Sequence, residues 1–445
     1  MTKPWENGTL RVDQTGHYLK NGDTPFFWLG DTAWDLLQRL TLPQARVYLK
    51  NRADKGFNVI QAVLTNARRE GDSLGSLQLM EEVDILRCIG PENEPYWQHV
   101  EGVLDIAEEL GVYIGCLPIW GKVARRGFID EKTAEPYANF LAERFGKRKN
   151  IIWILGGDIR GSEFHQMWEV MGKILKEKTP DKLIAYHPFG RTCSSYWFLD
   201  SPWLDINMFQ SGHRRYDQPD LRSWDDKEGG EPWYGEDNWR YVQAELEEIA
   251  GGAPARPVLD GEPSYEQIPQ GLHDPSQPYW QEYHVRRYAW WSVLAGSCGH
   301  TYGDNSVFQF YGTGHIQEFG AVDPWEKAIH HTGSGQMQIL KNLMLEIDFQ
   351  RCRPMEEAVL SGNGEKEQRV SAFGGGEYLV LYSYLGKSMT VKSDMGLADG
   401  WWLDPAVGSR SYFGRVDLSK EGGEILTPPV KKQGHNDWVC LLKKV

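Results

Sequence analysis

The sequence predicts an α/β fold: a (β/α)8 TIM barrel followed by a small antiparallel β-sandwich domain. Three observations predict it. Short apolar runs of strand type alternate with amphipathic stretches from residue 26 to about 303. Eight such runs fall within a span of about 280 residues, the usual size of a (β/α)8 barrel. Beyond residue 347 helical spacing gives way to period-two alternation. The predicted division is residues 1–347 for the barrel, with a short N-terminal β segment, and 348–445 for the β-domain.

The strand-type runs are residues 26–30, 59–64, 112–118, 151–155, 183–186, 204–209, 257–260 and a glycine-rich run at 297–302. Between the second and third, Val100, Val103, Leu104, Ile106, Ala107 and Leu110 recur at helical intervals until Gly111 stops the helix. Further helices are expected to begin near Leu42-Pro43, Thr133, Glu163, Trp239 and Tyr279, with Pro43 suited to a first turn. A doubly wound open sheet ranks second, because no glycine fingerprint follows the first run. Gly333-Ser334-Gly335 precedes one more amphipathic helix, at 337–345. After it, residues 378–384, 388–391 and 438–442 alternate as strands. The segments around Gly229-Gly230 and at 362–367 read as exposed loops.

Composition narrows the function. A formal charge of −14 argues against nucleic acid as a partner, since phosphate-backbone binding needs a surplus of Lys and Arg. No apolar run approaches the ~20 residues of a membrane span, so no membrane partner is expected. The six cysteines are scattered without a CxxC pair, which suggests no zinc site, no redox motif and no cofactor. The start lacks the apolar segment of a secretory signal, so a cytoplasmic location is expected, and the sequon at Asn7 then carries little weight. Aromatic residues make up 12% of the chain. Flat aromatic faces complement the C–H faces of sugar rings, which makes an oligosaccharide the expected partner, although the same residues also fill large cores.

Chemistry in a (β/α)8 enzyme sits at the C-terminal ends of the strands. The polar and aromatic residues placed there are Asp31 and Trp34, Gln61 and Asn66, Trp120, Asp158, His187 and Arg191, Gln210 and His213, Asp260 and Glu262, and His300, Tyr302 and Asp304. Two carboxylates across such a mouth are what glycosidic bond cleavage requires, and their separation distinguishes retention from inversion. Asp158, after Gly156-Gly157, is the expected general acid/base, with a helix cap as its plainer reading. Glu262, held between Gly261 and Pro263, is the expected nucleophile, with Asp260 as the alternative. Asp31, Trp34, Gln61, Trp120, His187, Gln210, His213, Tyr265, His300 and Tyr302 are the expected substrate-binding residues, the aromatics as sugar platforms. No metal is expected, because the histidines lack close ligand spacing. No GxSxG elbow, Walker loop or kinase signature is present.

The segments Phe27-Trp28-Leu29-Gly30-Asp31-Thr32-Ala33-Trp34, Gly56-Phe57-Asn58-Val59-Ile60-Gln61, Trp153-Ile154-Leu155-Gly156-Gly157-Asp158 and Asp260-Gly261-Glu262-Pro263 resemble signatures of the apiosidase-like glycoside hydrolases, family 140 type. The resemblance covers roughly residues 9 to 345. It implies a (β/α)8 barrel, a retaining mechanism, Asp158 as acid/base, Glu262 as nucleophile, and pectin-derived oligosaccharides as substrates, with release of an apiose-linked sugar. Compared with the wider group of such barrels, Gly157-Asp158 stands where an Asn-Glu pair is usual, which shortens the acid and suits an unusual sugar such as a furanoside. The tail resembles the β-domain often paired with these barrels and labelled collagen-binding; its short sandwich advertises no groove for a triple helix, and a lid packed on the barrel is the expectation. Two rivals remain open: a catalytically silent carbohydrate-binding protein, and a metal-assisted hydrolase using His187, His213 or His300.

Overall fold

A computed structural model describes residues 3–66, 84–218, 233–312, 317–431 and 433–445. Its centre is a barrel of parallel strands at Trp28–Thr32, Val59–Thr65, Tyr113–Ile119, Ile151–Gly156, Ile184–His187, Asn207–Gln210, Val258–Asp260 and Gly299–Tyr302. Every residue of these strands is buried, because the interior and the helical ring cover both faces. That is why they read as continuous apolar runs, not as alternating ones. The eighth strand pairs in parallel with the first, and the ladder continues in order to the fifth. A bridge between Ala185 and Ile206 carries it to the sixth, which pairs with the seventh. Cys298 N then donates to Val258 O at 3.0 Å and closes the ring.

Local chemistry sets the helices. In Leu42–Asp54, Thr41 and Gln44 form a capping box and Pro43 lies in the first turn, where its missing N–H costs nothing. Glu94–Leu110 buries the stripe from Val100 to Ala107 and ends at Gly111, whose φ of 75° is the left-handed C-cap that glycine adopts freely.

The first strand differs from expectation. Residues 24–26 belong to an N-terminal meander (Leu10–Val12, Leu19–Asn21, Thr24–Phe26), and the barrel strand starts at Trp28. Phe26 pairs with Leu19, and its ring packs edge-on against Tyr113 at the base of the third strand. Trp5 meets Tyr113 from another side, so the meander plugs the N-terminal end of the barrel. The sixth strand likewise begins late, at Asn207, because Asp205 is drawn aside to accept from Ile184 N and Lys176 Nζ.

After helix Thr332–Glu346 the chain forms a six-stranded antiparallel-paired sheet and a three-stranded one. Alternation decides which side chain goes where. Leu379, Leu381, Cys440 and Leu442 point into the sandwich core between the two sheets. Val380, Tyr382, Val439 and Leu441 point the other way, into the core shared with the barrel. There Trp290 of helix Glu282–Leu294 stacks on Tyr382 with centroids 5.5 Å apart. Arg286 of the same helix pairs with Asp437 at 2.8 Å. Residues 362–367 are mostly exposed, as expected, whereas Gly229-Gly230 lie outside the described residues. All six cysteines are buried thiols, and among the described residues no helix is long and apolar enough to cross a membrane.

Candidate active site

The C-terminal ends of the strands open into one cleft of about 960 Å³. Its floor is made by the turns after the fourth and seventh strands. After the fourth, Gly156 and Gly157 have φ of 89° and 100°, and Asp158 itself has φ of 50°. A Cβ on Gly157 would sit 2.7 Å from the Trp120 ring, and one on Gly156 would sit 2.3 Å from His187 O. Only glycine lets the backbone pass this close. The left-handed turn at Asp158 costs about 1–2 kcal/mol for a side-chain-bearing residue, a strain characteristic of functional positions. Asp158 caps no helix, since the next one, His165–Lys178, starts seven residues later.

After the seventh strand, Gly261 packs against Met208, where a Cβ would meet the sulfur at 2.4 Å. Glu262 O accepts from Gly212 N at 3.1 Å, and the Glu262 side chain projects into the cleft. His213 Nε2 lies 3.2 Å from Glu262 Oε1. His187 Nε2 is 3.2 Å from Oε2 at an angle outside hydrogen-bond geometry, so that contact is one of proximity. One carboxylate oxygen of Asp158, one of Glu262 and a ring nitrogen of His187 all lie within 4.8 Å of one another.

The two carboxyls are pushed apart electrostatically. Burial, then the Glu262 charge, raises Asp158 to about 6. Burial would also raise Glu262, but contact with His187 and His213 outweighs it and holds this carboxyl below its usual range. One group is therefore poised to carry a proton and the other to stay ionised. The Gln210 amide beside Asp158 partly offsets the rise there. Tyr265 reaches Glu262 with its hydroxyl, which also accepts from Trp34 Nε1 at 3.2 Å.

The expected residues separate into two sets. Trp34, Trp120, Asp158, Gln210, His213, Glu262 and Tyr265 line the cleft, and His187 lies directly behind them, its ring against Trp34 and Trp120. Asp31, Gln61, His300 and Tyr302 do not line it. Asp31 is fully buried, accepting from Arg52 Nε at 2.5 Å and Tyr48 Oη at 2.6 Å, and so is turned away from any substrate in the cleft. Gln61 donates to Gly261 O at 2.9 Å and so supports the Glu262 turn from below. Burial holds the His300 imidazole down at about 3, and Tyr302 donates to Glu266 at 2.5 Å. Each lies on a strand, where alternation sends a side chain into the packed interior as readily as toward the mouth. Asp260 is also buried, accepting from Ser211 Oγ at 2.7 Å, which leaves Glu262 as the carboxylate in the cleft.

Sequence reasoning missed Lys122, Arg125, Phe189, Arg214, Phe308 and Phe319, which line the walls. Lys122, Arg125 and Phe308 lie on short helices and the others in loops, all beyond the positions that a strand-end rule inspects. The donors Asp158, His187 and Glu262 are close enough to hold a cation, and His213 and His300 are not in that group.

A family model described as "Apiosidase-like, catalytic domain" matches residues 13–351. One described as "Putative collagen-binding domain of a collagenase" matches residues 354–443. Among solved structures, one titled "Glycoside hydrolase" is 38% identical, with all of this chain and 98% of that chain covered and a TM-score of 0.86. A glycoside hydrolase family 5 structure from Bacteroides vulgatus ATCC 8482 is 36% identical over all of this chain and 95% of its own, with a TM-score of 0.87. No curated protein matches. With its barrel, its carboxylate pair and this likeness over its whole length, the chain is an enzyme that belongs to the apiosidase-like glycoside hydrolases.

Proposed function

We propose that this enzyme is a retaining glycosidase acting on pectin-derived oligosaccharides of the plant cell wall. The observation that carries the mechanism is the approach of the Asp158 and Glu262 oxygens to within 4.8 Å, with opposite displacement of their proton affinities. An oxygen pair this close supports the retaining arrangement, with carboxyls about 5–5.5 Å apart, over the ~6.5–9.5 Å that an inverting enzyme leaves for water.

Protonated Asp158 donates its proton to the glycosidic oxygen as the C–O bond to the leaving sugar breaks. Glu262 attacks the anomeric carbon and forms a glycosyl ester. Asp158, now ionised, takes a proton from water, whose oxygen displaces Glu262 and releases the sugar. His213 and His187 keep Glu262 ionised before attack, and Tyr265 orients it. Trp34, Trp120 and Gln210 contact the sugar.

The substrate reading rests on the resemblance to apiosidase-like enzymes and on charge. The protein carries −14, yet Lys122, Arg125, Arg191 and Arg214 line this cleft. A local basic rim on an acidic protein suits an anionic uronate-containing chain.

Release of reducing sugar from a panel of pectin oligosaccharides tests the reading, with wild type compared with Asp158→Ala and Glu262→Ala. Wild type is expected to cleave, and each variant to lose orders of magnitude in kcat; variants that match wild type would show that the pair is wrong. The proximity of Asp158, His187 and Glu262 favours a second reading, metal-assisted hydrolysis. Loss of activity on dialysis against a chelator, restored by a divalent cation, would select it.

A further inference from the structure

His213, which holds Glu262, is carried by the loop after the sixth strand, where Gly212 N donates to Glu262 O at 3.1 Å and Trp280 Nε1 to His213 O at 3.3 Å. Its backbone is tied by Gly271 N donating to His213 O at 2.8 Å. Three residues on, Tyr216 N donates to Glu236 Oε2 at 2.5 Å, and Tyr216 Oη donates to Glu236 O at 3.2 Å. Glu236 is buried, and its other oxygen accepts from Arg287 Nη2 at 2.8 Å. Arg287, on helix Glu282–Leu294, is 1% exposed.

The β-domain reaches this buried pair directly. The Tyr384 ring centroid is 4.7 Å from Arg287 Cζ, and Glu367 Oε1 is 3.9 Å from its Nη1. Lys366 Nζ lies 5.1 Å over the Tyr216 ring. Arg369 stacks at 3.5 Å on Trp239, at the start of the helix that follows Glu236. A buried ion pair is weak evidence for stability, because desolvation offsets the attraction between its charges. What it does supply is direction: an arginine and a carboxylate with one bonded geometry fix the backbone they hold.

We propose that the β-domain positions the nucleophile, its Lys366–Glu367–Arg369 segment and Tyr384 bracing the Arg287–Glu236 pair so that the loop at 211–218 keeps His213 on Glu262. This rests on Glu262 being the nucleophile. Glu236 and Arg287 are positioning residues, not catalytic ones, since they lie behind the loop and outside the cleft lining.

The test compares wild type, Glu236→Gln and the surface double variant Lys366→Ala/Glu367→Ala, all as full-length protein. The double variant keeps the fold accessible if the buried substitution impairs it. Two readouts are taken: amide exchange of peptides covering 207–218, and the acidic limb of kcat/KM against pH. The groups facing Glu262 are His213, His187, Asp158 and Tyr265. Losing the first of these lets the Glu262 carboxyl rise, so the acidic limb is expected to move up by about half a pH unit or more. Faster exchange in the loop is expected alongside it. A lowered melting temperature with unchanged exchange and an unmoved limb would overturn the proposal. A wild type inactive on every glycoside would count against the catalytic pair, and the exchange result would then decide the brace alone.

Discussion

At the scale of single residues, Asp158 and Glu262 show how one chemical group acquires two proton affinities. The Asp158 carboxyl is raised by burial beside a negative neighbour, and that of Glu262 is lowered by two imidazoles. The proposed mechanism needs Asp158 protonated, and raising the pH through about 6 removes that proton. The expected outcome is a kcat/KM that falls close to tenfold per pH unit above that point, checked by a pH–rate profile. A flat profile to pH 8 would show that Asp158 is not the acid. The glycine before it is tested by Gly157→Ala. Its φ of 100° and the 2.7 Å approach to Trp120 leave no room for a methyl group. A stability loss of roughly 1–3 kcal/mol is expected. A larger effect on kcat is expected as well, because a displacement of about 1 Å at the reacting centre costs about a hundredfold. Thermal melts and kinetics on the same preparation separate the two.

At this scale the sequence is legible where a cleft-lining side chain follows an apolar run within a few residues. Asp158, His213 and Glu262 do so, and the glycine and proline beside them mark unusual backbone. Phe189 and Phe319 carry no such mark, since their neighbours in space come from other loops. Asp31 lies on the first strand, yet it is buried away from the cleft. Nothing local announces that Arg52, a helix away, turns inward to meet it.

At the scale of elements, that pair explains what Asp31 does. Asp31 and Arg52 are both fully buried, with Tyr48 as a third member, and they bolt helix Leu42–Asp54 to the first strand. Removing one partner strands a buried charge. Asp31→Asn is therefore expected to cost about 3–5 kcal/mol in denaturant unfolding, with kcat and KM of the folded fraction unchanged. A raised KM with unaltered stability would return Asp31 to the substrate. Element existence was readable from period and caps, as in Glu94–Leu110 with Gly111. Element edges were less so. Phe26 and Phe27 suit either the meander or the barrel, and only pairing with Leu19 assigns Phe26 to the former.

At the scale of the molecule, the two domains share a core. Arg286 donates to Asp437 at 2.8 Å, Tyr382 Oη adds a bond at 3.0 Å, and Trp290 stacks on Tyr382. Such a buried polar join between packed surfaces is expected to couple the domains into one unfolding unit. Wild type should show a single calorimetric transition. Asp437→Ala should lower it by about 3–5 kcal/mol of stability and separate an early transition of the β-domain. Two transitions already present in wild type would show that the domains are thermodynamically independent.

The sequence by itself determined the class of fold, the domain order, the helices with their caps, and the carboxylates at two strand ends. These depend on short-range terms, namely hydrophobic period, turn chemistry and capping, which act between residues near one another along the chain. The tertiary structure alone decided which strand-end side chains share the cleft and which are buried behind it. It also decided how close the two carboxyls come and what the β-domain braces. Those outcomes depend on barrel closure, which brings residues 158, 187, 213 and 262 to within a few ångströms, and on burial, which sets the proton affinity of each carboxyl through neighbours that no local pattern specifies.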